Sequence, residues 1–494
     1  MGARSKLPAW AGGAVCALMA GCTVGPDFHL PAPPTAHGYT LEPPGNTASA
    51  LAAGGQAQRF STDLDVPGRW WELFGSPQID QLVERALTAN PDLQSAQAAL
   101  RVARENLYAQ RGALYPQAEA NFNASRQKNP AVLASPLSSN AQYFGLNTGQ
   151  VSVSYAPDLF GGVQRQIEST SAQADNQRFQ LEATYLTLTA NVVLAALQDA
   201  SLRGQVRATE QAIGVDEEIL TRLKDQRRLG EAAEGDVSAQ ENALAQARLL
   251  LPPLRKQLDQ QRDLLAQLTG GAPAETSDDG IELGGVRLPT KLPLSLPSKL
   301  VQQRPDIRAA QANLQAASAL IGVAQANRLP TITLTGVLGG SSTNLGSLLT
   351  QQNSLWSLTG AVTQPIFQGG ALRHKQRAAE AAYDQAAADY RSTVLGAFQN
   401  VADTLHALDQ DAQALKAAAE AQAAADKSLG LARQEFQLGE VNVIAVLNAS
   451  QANQTAVAAL AQAQGARYAD TVALFQALGG GWWNRSDVAL AAKN

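Results

Sequence analysis

The chain contains the same pattern twice. "NPDLQSAQAALRVARENLYAQRGALYP" (Asn90 to Pro116) aligns without gaps on "RPDIRAAQANLQAASALIGVAQANRLP" (Arg304 to Pro330). Pro91, Asp92, Ala96, Gln97, Ala98, Leu100, Ala103 and Pro116 all recur 214 positions later. "YAPDLFGGVQR" (Tyr155 to Arg165) returns as "TQPIFQGGALR" (Thr363 to Arg373) at an offset of 208, and "RLGE" (Arg228 to Glu231) as "QLGE" (Gln437 to Glu440) at 209. Three anchors in one order with a slowly drifting offset mark a duplication. Residues 77–270 and 298–480 therefore read as one fold built twice, joined by a linker at 271–297 and followed by a tail at 481–494.

Each half has the same grammar. Pro91-Asp92 and Pro305-Asp306 open helices, since proline is tolerated in the first turn and aspartate is favoured by the helix dipole. Those helices stop before Pro116 and Pro330, and two segments of period-two alternation follow. In the first half Ala118, Ala120, Phe122 and Ala124, then Val151, Val153, Tyr155 and Leu159, are the apolar positions. In the second they are Ile332, Leu334 and Leu338, then Trp356, Leu358, Val362 and Ile366. Opposing them are Gln117, Glu119, Asn121 and Asn123, then Ser152, Ser154 and Asp158, then Thr331, Thr333 and Thr335, then Ser357, Thr359 and Thr363. Strands of about ten residues with one apolar and one polar face suit a membrane barrel with lipid outside and water inside. A soluble hairpin pair with one face on a core would show the same alternation.

After each strand pair comes a long proline-free stretch, Gly162 to Leu229 and Gly370 to Leu438, long enough for a helix of roughly 100 Å at about 1.5 Å per residue. Val394, Val401, Leu408, Leu415, Leu429 and Phe436 hold one heptad register, with Gln422 the polar break. On a returning segment Val237, Leu244, Leu251, Leu258 and Leu265 do the same. Heptads sustained over such lengths place helices against helices. Pro252-Pro253 predicts that this returning segment divides into two stacked helices.

The N-terminus supplies the compartment. Arg4 and Lys6 precede an apolar run from Leu7 to Met19, a secretory signal over residues 1–21. Ala20-Gly21-Cys22 then resembles a bacterial lipobox, which predicts a covalent lipid on Cys22 and a lipid-anchored, extended strap over residues 22–76. Met19 stands where leucine is usual. Thr23, in place of the aspartate that retains lipoproteins in the inner membrane, permits delivery to the outer one. Cys16 lies in the removed segment, so no disulfide is expected.

Four strands cannot close a barrel, and an open sheet edge in lipid leaves backbone groups unpaired at several kcal/mol each. The chain must therefore oligomerise. A dimer gives eight strands, few enough for side chains to plug, whereas a trimer gives twelve and leaves room for passage. The fold class expected is mainly α, with a trimeric α-helical barrel continuous with a twelve-stranded transmembrane β-barrel, four strands per chain.

At this point "CTVGPDFHLPAPP" (Cys22 to Pro34), "RWWELFGSPQIDQLVERALTANPDL" (Arg69 to Leu93), "PDLFGGVQR", "PIFQGGALR" and the two Leu-Gly-Glu turns resemble the TolC-like outer-membrane efflux proteins, in particular their lipoprotein branch of the NodT/OprM type. The resemblance spans nearly the whole mature chain. It implies a homotrimeric conduit in the outer membrane that reaches through the periplasm. The implied partners are a periplasmic adaptor and an inner-membrane pump, of the resistance-nodulation-division type by the lipoprotein start. Small compounds such as drugs or dyes would pass by an open path.

The resemblance also implies site residues. The turns holding Gly230, Glu231, Gly439 and Glu440 would be the periplasmic tips that meet the adaptor. Family members often close the tip with acids on the returning helix, but the second half here reads Ala445-Val446-Leu447-Asn448-Ala449, and the aromatic hydroxyl and base that would tie the coils are replaced by Phe436 and Val441. Asp236 is the one acid of that pattern retained. A hydrophobic gate at Val441, Ile444 or Leu447, beside Asn448, is expected instead.

Other functions fit poorly. Four histidines show no metal spacing, and no phosphate loop or nucleophile elbow occurs, so no enzyme and no cofactor is expected. A net charge of −5 with no basic stripe disfavours nucleic acid. Two methionines leave no copper path. A type I-like protein secretion duct and a non-transporting periplasmic coiled-coil tether are the rival readings, and the tether leaves the four amphipathic strands unexplained.

Overall fold

The computed structural model describes residues 23–32, 38–130, 132–133, 141–275 and 280–486. Cys22, predicted to carry lipid, and the signal segment lie outside the described residues. Helices α1 (Pro77–Ala89) and α2 (Pro91–Arg111) precede strands β2 (Gln117–Lys128) and β3 (Tyr143–Tyr155), then α3 (Gly162–Leu229) and α4 (Glu234–Leu268). The order then recurs: α5 (Pro297–Gln303), α6 (Pro305–Ala326), β5 (Thr331–Ser342), β6 (Ser354–Thr363), α7 (Ala371–Leu438) and α8 (Val443–Ala477). Two short strands, β1 (Arg59–Ser61) and β4 (Lys291–Pro293), stand outside the repeats. Both long helices have 68 residues and both returning helices 35, so the duplication is kept to the residue in these elements.

The chain divides into two compact units. The first, residues 1–30, 100–176 and 310–390, holds a four-stranded sheet in the order β2-β3-β5-β6, with every neighbour antiparallel. Its register pairs Phe122 with Gly149, Val151 with Leu338, and Leu338 with Trp356. The alternating apolar residues therefore share one face, and Asn121, Ser152, Ser154, Thr335 and Thr359 lie on the other. β3 starts earlier than the alternation indicated and stops at Tyr155, so Leu159 is not on a strand; β6 likewise stops at Thr363, short of Ile366. Pro157 and Pro365 follow the two ends, and proline has no N–H for the ladder.

In the same unit the segment after the predicted anchor is held fast. Val24 N–H donates to Phe160 O at 3.0 Å, and the buried Arg165 guanidinium donates to Val24 O, Gly25 O and the Asp27 carboxylate. Gly25, at φ +103°, faces Gly322 so closely that a Cβ on it would stand 2.4 Å from the Gly322 Cα.

The second unit comprises residues 31–99, 177–309 and 391–494. Here β1 pairs in parallel with β4, tying the strap to the linker between the repeats. Tyr39 adds to this by donating to Ser295 O at 2.8 Å. The two tryptophans before α1 form core: Trp70 and Trp71 are both 1% exposed, and Trp70 stacks on Phe475 of α8 at 5.4 Å. The heptad residues Val401, Leu408 and Leu415 of α7 and Val237 and Leu244 of α4 are buried, and Gln422 is half-buried.

One expectation fails. α4 runs unbroken from Glu234 to Leu268 with Pro252 and Pro253 inside it. Each proline removes one backbone bond and costs about 3 kcal/mol in a helix interior. Packing on α3 on both sides of the lesion offsets this: Leu251, Leu254 and Leu258 sit against Leu202 and Val206, while Arg248 pairs with Glu217 at 2.6 Å and Arg255 with Glu210 at 2.7 Å.

Trp70→Ala should lower unfolding free energy by about 3–5 kcal/mol, the usual range for deleting a buried aromatic. Thermal unfolding followed by near-ultraviolet dichroism measures it; a change within about 1 kcal/mol, the size of an ordinary surface effect, would remove this residue from the core.

Candidate functional site at the helical tips

The α3–α4 and α7–α8 turns are built alike, and the construction uses backbone atoms. α3 ends at Leu229; Gly230 takes φ +85°, its N–H donates to Arg227 O, and Glu231 N–H reaches back to Gln226 O at 2.8 Å. α7 ends at Leu438; Gly439 takes φ +76°, its N–H donates to Phe436 O, and Glu440 N–H reaches Glu435 O at 2.9 Å. A left-handed glycine followed by these two back-bonds closes a helix while satisfying its last carbonyls. The Glu231 and Glu440 side chains take no part in the closure and are exposed.

The returning helices start differently. In α4 the Asp236 carboxylate accepts from Ala233 N–H at 3.4 Å, whereas in α8 the Asn442 side chain accepts from Ala445 N–H at 3.2 Å. Asp236 thus has a capping task, the role that an acid in a first turn commonly has. The first tip is also the charged one, with Arg227–Glu234 at 2.6 Å, Lys224–Glu241 at 2.8 Å and Arg228–Asp225 at 3.1 Å.

Behind the turns the two hairpins share one apolar cluster. Leu223, Val237 and Val443 are its buried members, with Phe436 and Leu447 packed against them. Of the expected gate residues, Leu447 is therefore tied into this cluster, Val441 is half-buried, and Ile444 and Asn448 are exposed. Two of the four, Ile444 and Asn448, project from the packed hairpins.

Further along, a polar knot joins three helices. Gln240, fully buried on α4, donates to the Asp216 backbone oxygen at 3.0 Å, and Gln454 of α8 donates to the Asp216 carboxylate at 3.4 Å. Burial raises the Asp216 pKa, opposed by the bonds that Gln240, at 3.4 Å, and Gln454 donate to its carboxylate. Heptad reasoning missed this knot, because Gln240 lies between the apolar positions Val237 and Leu244. Its only signal was the largely polar run "SAQEN".

A second acid lies between α7 and α8. The fully buried Arg467 donates to Leu408 O at 2.6 Å and to Thr47 Oγ1 at 2.7 Å. Near it, burial first and then the neighbouring Asp470 carboxyl push Asp411 up to about 7.

Residues 82–271 and 296–480 match the profile of the outer membrane efflux proteins. The chain belongs to that family. Among similar proteins, the toluene efflux pump outer membrane protein TtgF of Pseudomonas putida is 30% identical over 97% of this chain and 98% of its own. The pyoverdine export outer membrane protein OpmQ, from another strain of the same species, is 29% identical over 92% and 94%. The solved outer-membrane channel OprN superposes with a TM-score of 0.81 at 27% identity, over 93% of this chain and 100% of that one. This efflux protein is thus the outer-membrane channel component of an export system, of the NodT/OprM type, and extends into the periplasm. It is a channel and not an enzyme, mostly helical with antiparallel strands, and works with an adaptor and an inner-membrane pump.

Two outcomes are expected here. Gly230→Val and Gly439→Val put a β-branched residue in the left-handed region at a cost of about 1–2 kcal/mol each. Hydrogen exchange should quicken at the altered tip, and equal exchange would contradict the assigned closure. For Asp411 the folded pKa lies above the usual value, so the folded state binds the extra proton and stability falls as pH rises from about 4 through 7. Asp411→Asn should therefore unfold at a higher temperature than the parent at about pH 8, by a margin that narrows as pH falls and closes only below about pH 4.

Proposed function

We propose that three copies close their sheets into one twelve-stranded barrel above an α-helical barrel, and that small toxic compounds leave the cell through this conduit. The sheet supplies the observation on which the reading rests. β2 and β6 are its free edges, of 12 and 10 residues, and its apolar face bears large exposed side chains including Trp356 and Leu358. In water such a face is a liability; in lipid it is the required surface, but the free edges are not tolerated. Joining β2 of one copy to β6 of the next removes every edge. Twelve strands fit an aqueous path better than the eight of a dimer.

The tips carry the second part of the reading. Gly230 and Gly439 fix two matching turns, and Glu231, Glu440 and the exposed Leu229 and Leu438 beside them form mixed polar and apolar knuckles suited to an adaptor. The pump behind the adaptor is of the resistance-nodulation-division type, the class that the lipoprotein start implies by resemblance. Of Val441, Ile444 and Leu447, Ile444 is the one that projects from the packed hairpins and narrows the pore as an apolar gate beside Asn448, since the acids found in related tips are absent and Asp236 is engaged in capping. A lipid on Cys22 anchors the strap, and Thr23 to Asp27, held by Arg165, continue from it. The boundaries proposed for the two repeats remain 77–270 and 298–480.

A photo-crosslinker at Glu231 or Glu440 in living cells should capture a periplasmic adaptor. Capture of this protein alone, or of peptidoglycan, in cells producing adaptors would overturn the docking assignment. Boiling should convert an SDS-resistant species of three times the chain mass to the monomer, and a species of twice that mass would replace the trimer by a dimer. The pore should stay conductive at acid pH and in trivalent cations; blockade by such cations would return the gate to Asp236.

A further inference from the structure

The segment between β5 and β6, residues 343–353, does not extend away from the sheet. It folds back over the apolar face in two 3₁₀ turns, Leu345–Ser347 and Gln351–Asn353. Glycines make this approach possible. A Cβ on Gly340 would stand 2.1 Å from the Leu348 carbonyl oxygen, and one on Gly149 would stand 3.2 Å from a Leu348 methyl carbon. Gly149 and Gly340 are register partners on β3 and β5, so they form a single notch into which Leu348 fits.

The loop holds part of its own polarity internally while two of its leucines stay exposed. Several of its polar side chains bond one another and the local backbone: the Asn344 side chain accepts from Gly346 N–H at 3.1 Å, Asn353 Nδ2 donates to Ser347 O at 2.8 Å, the Ser342 and Ser347 hydroxyls lie 2.6 Å apart, and Thr350 Oγ1 donates to Ser347 O, while Thr343, Gln351 and Gln352 are exposed. Two of its three leucines point away: Leu345 is 62% exposed and Leu349 93%. Between Leu348, Leu349 and the strand residues Ala120, Phe122, Val151 and Leu338 lies a concavity of about 490 Å³. All four strand residues belong to the apolar face. The same end of the sheet carries exposed Tyr143, with the Lys128 ammonium 5.0 Å from its ring centre. Aromatic rings form girdles at a barrel's membrane boundary.

We propose that this loop and the sheet beneath it form a docking site for an acyl chain of an outer-membrane lipid, with Leu345 and Leu349 reaching into the hydrocarbon. The proposal rests on the barrel reading, which turns the apolar face toward lipid. Internal bonds at Ser342, Asn344, Ser347, Thr350 and Asn353 reduce the number of polar groups that the loop brings to the hydrocarbon boundary, where unpaired ones are costly. The exposed leucines then meet chains instead of solvent.

The test uses full-length protein in vesicles of phosphatidylcholine brominated on its acyl chain. A nitrobenzoxadiazole label is placed by Leu349→Cys, by Leu358→Cys on the apolar face, or by Ser357→Cys on the polar face, with unsubstituted protein as the blank. Leu349 is almost wholly exposed, so its replacement leaves the fold intact. The label at 349 should be quenched to within about twofold of that at 358, and the label at 357 should be spared. Quenching at 358 without quenching at 349 would overturn the loop's lipid contact and leave the barrel orientation standing. Absence of quenching at both would overturn the orientation, and the acyl site with it.

Discussion

The two halves of this protein are joined edge to edge. β3 of the first repeat pairs with β5 of the second over nine residue pairs, from Asn147–Ser342 to Tyr155–Leu334, and this ladder makes one four-stranded sheet from two hairpins. Without it each half would present a two-stranded hairpin, which is marginal even in water. With it, the alternation of both halves falls into one register, and the sheet acquires a continuous apolar face and a continuous polar one. The conduit reading depends on this ladder, because it reduces the four strand edges of two hairpins to the two edges that neighbouring copies can share.

The helical part obeys a parallel logic. Two hairpins of 68 and 35 residues pack through heptad positions, and near the tips they share one cluster around Leu223, Val237 and Val443. Continuity of packing also explains why α4 survives two adjacent prolines. A local defect of several kcal/mol is tolerated where leucines and two arginine–glutamate pairs hold the helix to its neighbour on either side of the gap.

Much of this was legible in the amino acids. Periodicity separates strand from helix when elements are long, and here the duplication doubled each signal, so the four strands, the long helices and the glycine turns could all be read. Local features set against a strong tertiary context were not. Pro252-Pro253 reads as a break because propensity takes no account of the partner helix. The ends of β3 and β6 were set by Pro157 and Pro365, which alternation alone ran past. The short β1–β4 pair has three residues on each side, too few for any period to show. At the tips, glycine at a positive φ and a neighbouring glutamate could be found by inspection. The polar knot at Asp216, Gln240 and Gln454 could not, because a buried polar contact depends on a partner many residues away.

Closing the tips with backbone hydrogen bonds has a consequence for change over time. The turn depends on one glycine and on carbonyls that every residue possesses, so the side chains at 229, 231, 438 and 440 carry no share of the folding task. They can be exchanged almost without constraint from stability. A channel of this construction can change its docking partner by a few surface substitutions while its architecture stays still, and the two tips, closed by separate glycines, can diverge independently.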